Sequence, residues 1–452
     1  MNLLYNFFED KYNLSSKVYK IILKDEPFNI FLFYYDILNV YNLFPTIIDF
    51  KLPPTDNLDI SVQSTQIIDA ADDTLNKTSF ESYIETNKQY KKLLKQTIEE
   101  TQGQYESCDT DKYVRKFFSY EIIDLLTLNY NVEYVTVAWL KCYEMLEWYK
   151  LITKKNINYF GICEQPGAFV YAINHYIKTH DLGDFNFILQ SLRVNVTRKS
   201  TGFKAEDNLY KTYEDRYDYG KTETGDVTNL ENIKYYRQKY YDKHFDLISA
   251  DCGLDCSDDF SLQEKKIFKI FFGQLLVAIS LADVGTNYFT KLFTSYSLQT
   301  TNLMYLLSTL FEEVYLSRVL TTKSISGEVY LVCKNFKYTK KEFDNQLKKI
   351  YDIYEAGSIP SFLNIKEDTF LNFMSECNKI LLHRRIIAYR SSYFRYQNRK
   401  YTSENQKVIK YVKEMTDHYA NYFITHYKIK KLNDKDKLVA HKFISKWIKP
   451  HT

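Results

Sequence analysis

Cys163-Glu164-Gln165-Pro166-Gly167-Ala168-Phe169 stands between a short apolar run and an amphipathic one, and the rest of the chain is laid out around it. Upstream, Tyr159-Phe160-Gly161-Ile162-Cys163 is aromatic and apolar enough for a buried strand. Downstream, Phe169, Ala172, Ile173, Tyr176 and Ile177 recur at helical spacing, while Asn174, His175 and Lys178 fall on other faces. Strand, Pro-Gly turn and helix make a βα unit. In such a unit Gly167 lets the backbone approach a ligand and the helix start offers free N–H groups. Pro-Gly also marks plain turns, so the flanking sequence has to decide between the two.

Outward from the turn, strand-like and helix-like segments alternate. Residues 135–151 carry apolar side chains at helical spacing, with Lys141 set among Trp139, Leu140, Tyr143 and Met145. Residues 185–192 and 245–251 read as buried strands, the second ending in the carboxylate of Asp251. A run apolar on nearly all sides, 264–281, predicts a helix buried against a sheet. Strands follow at 288–293, with Lys291 near the end, at 314–316 and at 329–332, separated by a helix over 302–311. This alternation predicts an α/β fold whose mostly parallel sheet has helices on both faces. Ligands of such sheets sit at the carboxyl ends of the strands, where Cys163, Asp251 and Lys291 all fall. Three regions are expected: an N-terminal extension with an acidic linker (1–105), the α/β core (106–336) and a basic helical extension (337–452).

Composition narrows the class. With 42 Tyr and 31 Phe beside 12 Gly and 7 Pro, the 452 residues predict a compact, aromatic-rich chain rather than a disordered one. Seven scattered cysteines, Cys108, Cys142, Cys163, Cys252, Cys256, Cys333 and Cys377, read as reduced thiols of an intracellular protein. Cys252-x-x-x-Cys256 lacks a second ligand pair, so no metal site is expected. The N-terminus carries Glu9 and Asp10 where a signal peptide would be basic, and the most apolar run, 270–282, is too short to span a bilayer. A soluble protein with no membrane partner is the expectation. Net charge is +3, yet residues 381–452 hold 17 Lys plus Arg against 5 Asp plus Glu. That imbalance points to a polyanion partner, RNA or DNA ahead of a membrane.

Lys141, Asp251, Lys291 and Glu328 each interrupt apolar sequence near the end of an element. Singly, each has an ordinary explanation: a snorkelling lysine, a capping aspartate, an edge-strand lysine, a surface glutamate. Their joint order around a glycine turn does not. The blocks Ala138-Trp139-Leu140-Lys141, Glu164-Gln165-Pro166-Gly167-Ala168-Phe169 with Asn174-His175-Tyr176, Thr224-Gly225-Asp226-Val227-Thr228, Ser249-Ala250-Asp251, Phe289-Thr290-Lys291 and Ser326-Gly327-Glu328 carry a family resemblance. Over about residues 130–336 the chain resembles the FtsJ-like RNA 2′-O-methyltransferases, and among them the cap-specific mRNA enzymes of eukaryotes and large DNA viruses.

The resemblance implies a Rossmann-like methyltransferase core, S-adenosylmethionine as cofactor and a Lys-Asp-Lys-Glu tetrad of Lys141, Asp251, Lys291 and Glu328. Lys291 is then the base that removes the 2′-hydroxyl proton and Lys141 the neighbour that lowers its pKa, with Asp251 and Glu328 holding the pair. Carboxylates also favour the protonated lysine, which leaves the net shift open. Glu164, Pro166, Gly167, Ala168 and Phe169 are expected at the methionine and ribose side of the donor, Asp226 at its nucleoside end, and Asp251 at both donor and reacting centre. Ala168 and Cys252 depart from commoner family residues, and the Pro-Gly-Ala-Phe form resembles the branch acting on the second transcribed nucleotide. Capped mRNA is the implied partner, alongside other capping or transcription proteins. The expected setting is the cytoplasm, a viral factory or a virion ahead of the nucleus. The Tyr-rich passage 210–241 and the tail 384–449 are candidate RNA surfaces. Methylation of ribosomal or other structured RNA, and a non-catalytic capping subunit, are the competing functions.

Overall fold

In the computed structural model, which describes residues 48–54, 77–101, 119–193, 208–253, 263–357, 368–397 and 406–439, the apolar runs become a seven-stranded sheet. The strands are β1 (Ile48–Lys51), β2 (Ile157–Ile162), β3 (Phe185–Gln190), β4 (Leu247–Ala250), β5 (Asn287–Leu292), β6 (Phe311–Arg318) and β7 (Val329–Phe336). Their order is β1-β6-β7-β5-β4-β2-β3. Neighbours from β3 through β2 and β4 to β5 pair in parallel, Phe160 opposite both Ile188 and Ile248. β7 runs antiparallel between β5 and β6, and β1 lies antiparallel on β6 with Asp49 opposite Ser317. The chain leaves β2 for β3 and returns to β4 on the other side, which makes the gap between β2 and β4 the topological switch point where a ligand crevice forms.

Period-two alternation sorts the strand residues onto two faces. Phe160, Ile248, Tyr288 and Leu331 enter one buried apolar cluster, and Tyr159, Leu247, Phe289 and Val332 the other. The second cluster is covered by α3 (Val137–Tyr149) and α4 (Ala168–Thr179); the first by α7 (Gln263–Leu281), α8 (Leu298–Leu310) and α9 (Lys340–Glu355). The remaining helices are α1 (Lys77–Thr101), α2 (Ser119–Asn129), α5 (Asn208–Thr212), α6 (Leu230–Lys239), α10 (Asp368–Gln397) and α11 (Gln406–His426). The flanks are woven into the core. Phe343, Leu347, Ile350, Phe370 and Met374 fill the first cluster, Phe423 and Tyr427 the second, and Leu382, Ile386 and Tyr389 of α10 pack with Leu94 of α1.

Two expectations change here. β1 extends the sheet from a region read as lying outside it, because the antiparallel edge of β6 offers unpaired backbone groups that Ile48–Lys51 satisfies. The cysteines are not all reduced: Cys163 and Cys252 form a disulfide, with Cα atoms 5.1 Å apart. The register puts Ile162 opposite Ala250 on adjacent parallel strands, so the residues just beyond meet at the switch point. Cys142 and Cys333 are buried thiols, and Cys108 and Cys256 lie outside the described residues. Among the described residues no helix is long and apolar enough to cross a membrane, and no three His, Cys, Asp or Glu side chains are placed to hold a metal ion.

Candidate active site

Four elements bring the tetrad together. Lys141 comes from the middle of α3, whose start is fixed by Thr136 accepting the Trp139 N–H, and whose Trp139 ring stacks on Tyr143 at 5.0 Å. Asp251 follows β4, Lys291 lies in β5, and Glu328 immediately precedes β7. Lys141 Nζ meets Glu328 Oε1 at 2.5 Å, and Lys291 Nζ meets Asp251 Oδ1 at 2.7 Å while donating to the Asp251 main-chain oxygen at 3.2 Å. The four side chains are only 12 to 24% exposed. Pairs so enclosed are screened little, so breaking one leaves a poorly solvated charge.

The electrostatics answer the question left open by sequence. Burial pulls the Lys291 pKa down, but the Asp251 and Glu328 carboxylates outweigh it and the net direction is up. Burial opposes the ionised Glu328 carboxylate, yet the Lys141 and Lys291 ammoniums carry its pKa below the ordinary value. Without substrate the tetrad is therefore two stored ion pairs, with Lys291 as an ammonium.

Glu328 is placed by an arginine that sequence reasoning passed over. Arg318, at the end of β6, is buried and donates to the carbonyls of Lys323, Ser324, Ser326 and Glu328, gathering the loop into β7. A second missed group is Glu144, one turn beyond Lys141 in α3. Its buried carboxylate accepts from the Leu320 and Thr321 N–H groups and from the Thr321 and Tyr427 hydroxyls. Burial pushes it up to about 7. A carboxylate among Met145 and Leu146 was the available signal.

The turn at 163–169 is organised by Glu164. Its Oε1 accepts the Phe169 and Val170 N–H groups at 2.9 and 3.1 Å and its Oε2 accepts the Tyr159 hydroxyl, so the start of α4 is capped from within. Burial raises the Glu164 carboxyl to about 8, the backbone donors opposing and the Asp251 charge adding. Gly167 has φ +99°, a backbone conformation that L side chains rarely adopt, so the turn itself requires the glycine; a Cβ there would also displace the Leu209 side chain, 2.2 Å away at Cδ2. Phe169 is buried against Phe289, Ala168 opens α4, and Pro166 lies partly exposed in the turn. Asn174, His175 and Tyr176 face away, to Asp436 O, Lys430 O and Glu147.

Among the groups with unused hydrogen-bonding capacity, two lie in the loops after β2 and β3. Both amide atoms of Gln165 are buried without a partner, in the turn beside Asp251 and Cys252. Asp226 Oδ1 accepts from Thr228 N and Oγ1, and the loop around it is tied to β3 through Gln190 Nε2 donating to Gly225 O. Its second oxygen accepts no hydrogen bond among the described residues.

Residues 134–336 match the family model described as FtsJ-like methyltransferase. This span of the chain is similar to an FtsJ-like methyltransferase domain. Its end coincides with Phe336, the last residue of β7, and its mostly parallel, Rossmann-type sheet is the expected architecture. A Drosophila melanogaster protein named cap-specific mRNA (nucleoside-2′-O-)-methyltransferase 2 is 26% identical over 67% of this chain and 44% of its own length. Probable methyltransferase EP424R of African swine fever virus is 28% identical over 67% of this chain and 78% of its own. A solved putative ribosomal RNA methyltransferase from Plasmodium falciparum aligns at 21% identity over 45% of this chain and 98% of that one, with a TM-score of 0.30. The chain spans less than half the length of the cap-specific relatives it matches.

The candidate RNA surfaces, one inside the matched span and one beyond it, change character in the fold. Tyr217 and Tyr219 are buried in the second cluster, Tyr217 bridging Leu189 of β3, and Tyr236 and Tyr240 at the end of α6 are buried in the first; Tyr241 is 39% exposed. In the tail Arg384, Tyr389 and Tyr396 are buried, Arg385 is half-buried and Arg390 is exposed. Arg399 and Lys400 lie outside the described residues.

Proposed function

We propose that this chain methylates the ribose 2′-oxygen of the first or second transcribed nucleotide of capped mRNA, with S-adenosylmethionine as donor. The observation that carries the reading is the convergence of two lysine–carboxylate pairs, Lys141–Glu328 and Lys291–Asp251, beside the α4 turn in an FtsJ-like domain. When bound, S-adenosylmethionine supplies a sulfonium-activated methyl group, whose C–S bond breaks as the new C–O bond forms. Gln165 and the main chain of the Glu164–Phe169 turn, Pro166, Gly167 and Ala168 included, hold its methionine and ribose side. Asp226 takes the nucleoside end through its open oxygen, and Asp251 faces both donor and reacting centre.

Lys291 accepts the 2′-hydroxyl proton. Its neutral form is the minor one in the resting pair, so turnover depends on releasing a proton that Asp251 and Glu328 hold. Lys141, anchored on Glu328, supplies a second positive charge that opposes this hold and fixes the attacking oxygen. The Pro-Gly-Ala-Phe form of the turn favours the second nucleotide. The viral relatives favour a cytoplasmic, viral-factory or virion setting over a nuclear one, with other capping or transcription proteins as partners.

Labelled donor with short RNAs that are uncapped, capped, or capped and already methylated on the first ribose is the test. Transfer confined to capped RNA supports the reading, and preference for the premethylated one fixes the second position. Transfer regardless of the cap assigns the chain to structured RNA instead. Binding of donor or RNA with no transfer makes it a non-catalytic subunit.

A further inference from the structure

The covalent link between Cys163 and Cys252 lies between the two segments assigned to the methyl donor. β2 and β4 keep parallel register up to Ile162 opposite Ala250, and the Asp251 N–H reaches the Ile162 carbonyl at 3.3 Å. Past that point β2 leads into the Glu164–Phe169 turn and β4 into residues 251–253. The bridge joins the two there, with Cα atoms 5.1 Å apart and 89 positions between them in the chain. Residues 251–253 also cup the Lys291 ammonium. Asp251 meets it with Oδ1 at 2.7 Å and with its main-chain oxygen at 3.2 Å, and a Cβ on Gly253 would stand 3.5 Å from Nζ. Cys252 is the residue between these two neighbours of Lys291, so the bridge pins the segment at its centre.

Cys142, Cys333 and Cys377 are buried thiols. Cys163 is partly exposed, whereas Cys252 is 4% exposed. A small thiolate can therefore attack the Cys163 sulfur, with Cys252 leaving as the thiolate. In a chain otherwise furnished with thiols, a bridge with one open end is of the kind that forms and breaks, not the kind that staples a fold. Closing it takes two protons and two electrons from the thiol pair, and a small disulfide receives them and becomes two thiols. A small dithiol returns them and is itself oxidised to a disulfide. The closed bridge holds residues 163–164 and 251–253 in one arrangement before a ligand arrives, which removes an ordering cost from binding.

We propose that Cys163 and Cys252 are a reversible thiol–disulfide modification site, oxidised by a small disulfide, whose closure locks the donor crevice and the Asp251–Lys291 pair. The inference rests on the S-adenosylmethionine-dependent reading. Closed, the site favours donor binding and transfer; open, it weakens both while the chain stays folded.

The test equilibrates the full chain with glutathione and glutathione disulfide over a range of ratios, and reads the bridge by differential alkylation and peptide mass spectrometry. Donor Kd by calorimetry and methyl transfer to capped RNA are measured at the same ratios. Reduction should raise donor Kd about three- to tenfold, as follows when the open segments hold the binding arrangement about a third to a tenth of the time. Hydrogen exchange of residues 163–169 and 251–253 should quicken on reduction while β2 and β4 stay protected. Cys163→Ser and Cys252→Ser should bind donor like the reduced protein at every ratio, and Cys256→Ser should keep the full response. Both states are compared in the unmodified chain, so the result does not depend on a variant folding. A donor Kd that is equal in the two states, or lower in the reduced one, would overturn the proposal. So would a bridge from Cys252 to Cys256 in place of Cys163, or a Cys163–Cys252 bridge that a small dithiol opens only once the chain is unfolded. If the oxidised chain binds no donor and transfers no methyl, the functional reading fails; quickened exchange on reduction then still supports the lock, and unchanged exchange overturns it.

Discussion

At Lys291 the residue types chosen by sequence and the geometry supplied by the fold meet. Its ion pair with Asp251 holds the proton that Lys291 has to lose if it serves as the proposed base. Lys291→Ala is expected to abolish methyl transfer while donor affinity, measured by calorimetry, changes little; sustained turnover would remove the lysine from the role of base. With the pKa held above the ordinary lysine value, about 10.4, kcat should still be climbing at about pH 9, as a pH–rate profile will show. Glu164 makes a stability prediction of known sign. Its carboxyl sits at about 8 in the fold against a reference of 4.5, so the folded state keeps a proton that the unfolded chain releases. The resulting stabilisation is complete below about 4.5 and is lost as pH rises through 8. Glu164→Gln cannot titrate, so unfolding temperatures measured from acid to alkaline pH should lose that part of the decline; an unchanged curve would contradict it. Lys141, Asp251, Lys291 and Glu328 could be named from sequence because each broke an apolar run at an element end. Glu144 left only the hint of a carboxylate in an apolar helix, and Gln165 and Arg318 left none, since their importance lies in what surrounds them: an unmet amide and a loop of carbonyls.

Among the elements, strands β2 to β7 and helices α3, α4 and α7 announced themselves through period and apolarity. α10 and α11 were legible as helices, but not what they cover. The basic, aromatic composition of the tail suggested a nucleic-acid surface, whereas α11 turns Phe423 and Tyr427 into the same cluster as Trp139 and Phe169. Tyr427 also reaches Glu144, 283 residues away in the chain. Phe423, wholly buried, therefore belongs to the core, and Phe423→Ala is expected to cost about 3–5 kcal/mol, read as a shift in the denaturation midpoint. A cost near zero would mean that α11 is peripheral. β1 escaped notice because four residues alternating between partly buried and exposed carry little pattern until β6 is there to pair with them.

For the whole molecule, the regions expected at 106–336 and 337–452 share their apolar clusters. Phe343, Leu347 and Ile350 pack with Leu275 and Leu281 of α7, and removing residues 337–452 would expose that face to water. A fragment of 106–336 should therefore fail to give a cooperative thermal transition where the full chain gives one; a fragment that folds and binds donor would restore the boundary. The sequence by itself determined the α/β alternation, the turn at 163–169, the order of the four charged residues and the family they resemble, because all of these are written in local composition and spacing. Only the tertiary structure decided that Cys163 meets Cys252 across 89 residues, that Lys141 meets Glu328 across 187, and that Arg385 reaches the loop holding Glu328. Such contacts depend on strand order and on which helix face turns inward, and neither leaves a period in the sequence that a single chain can display.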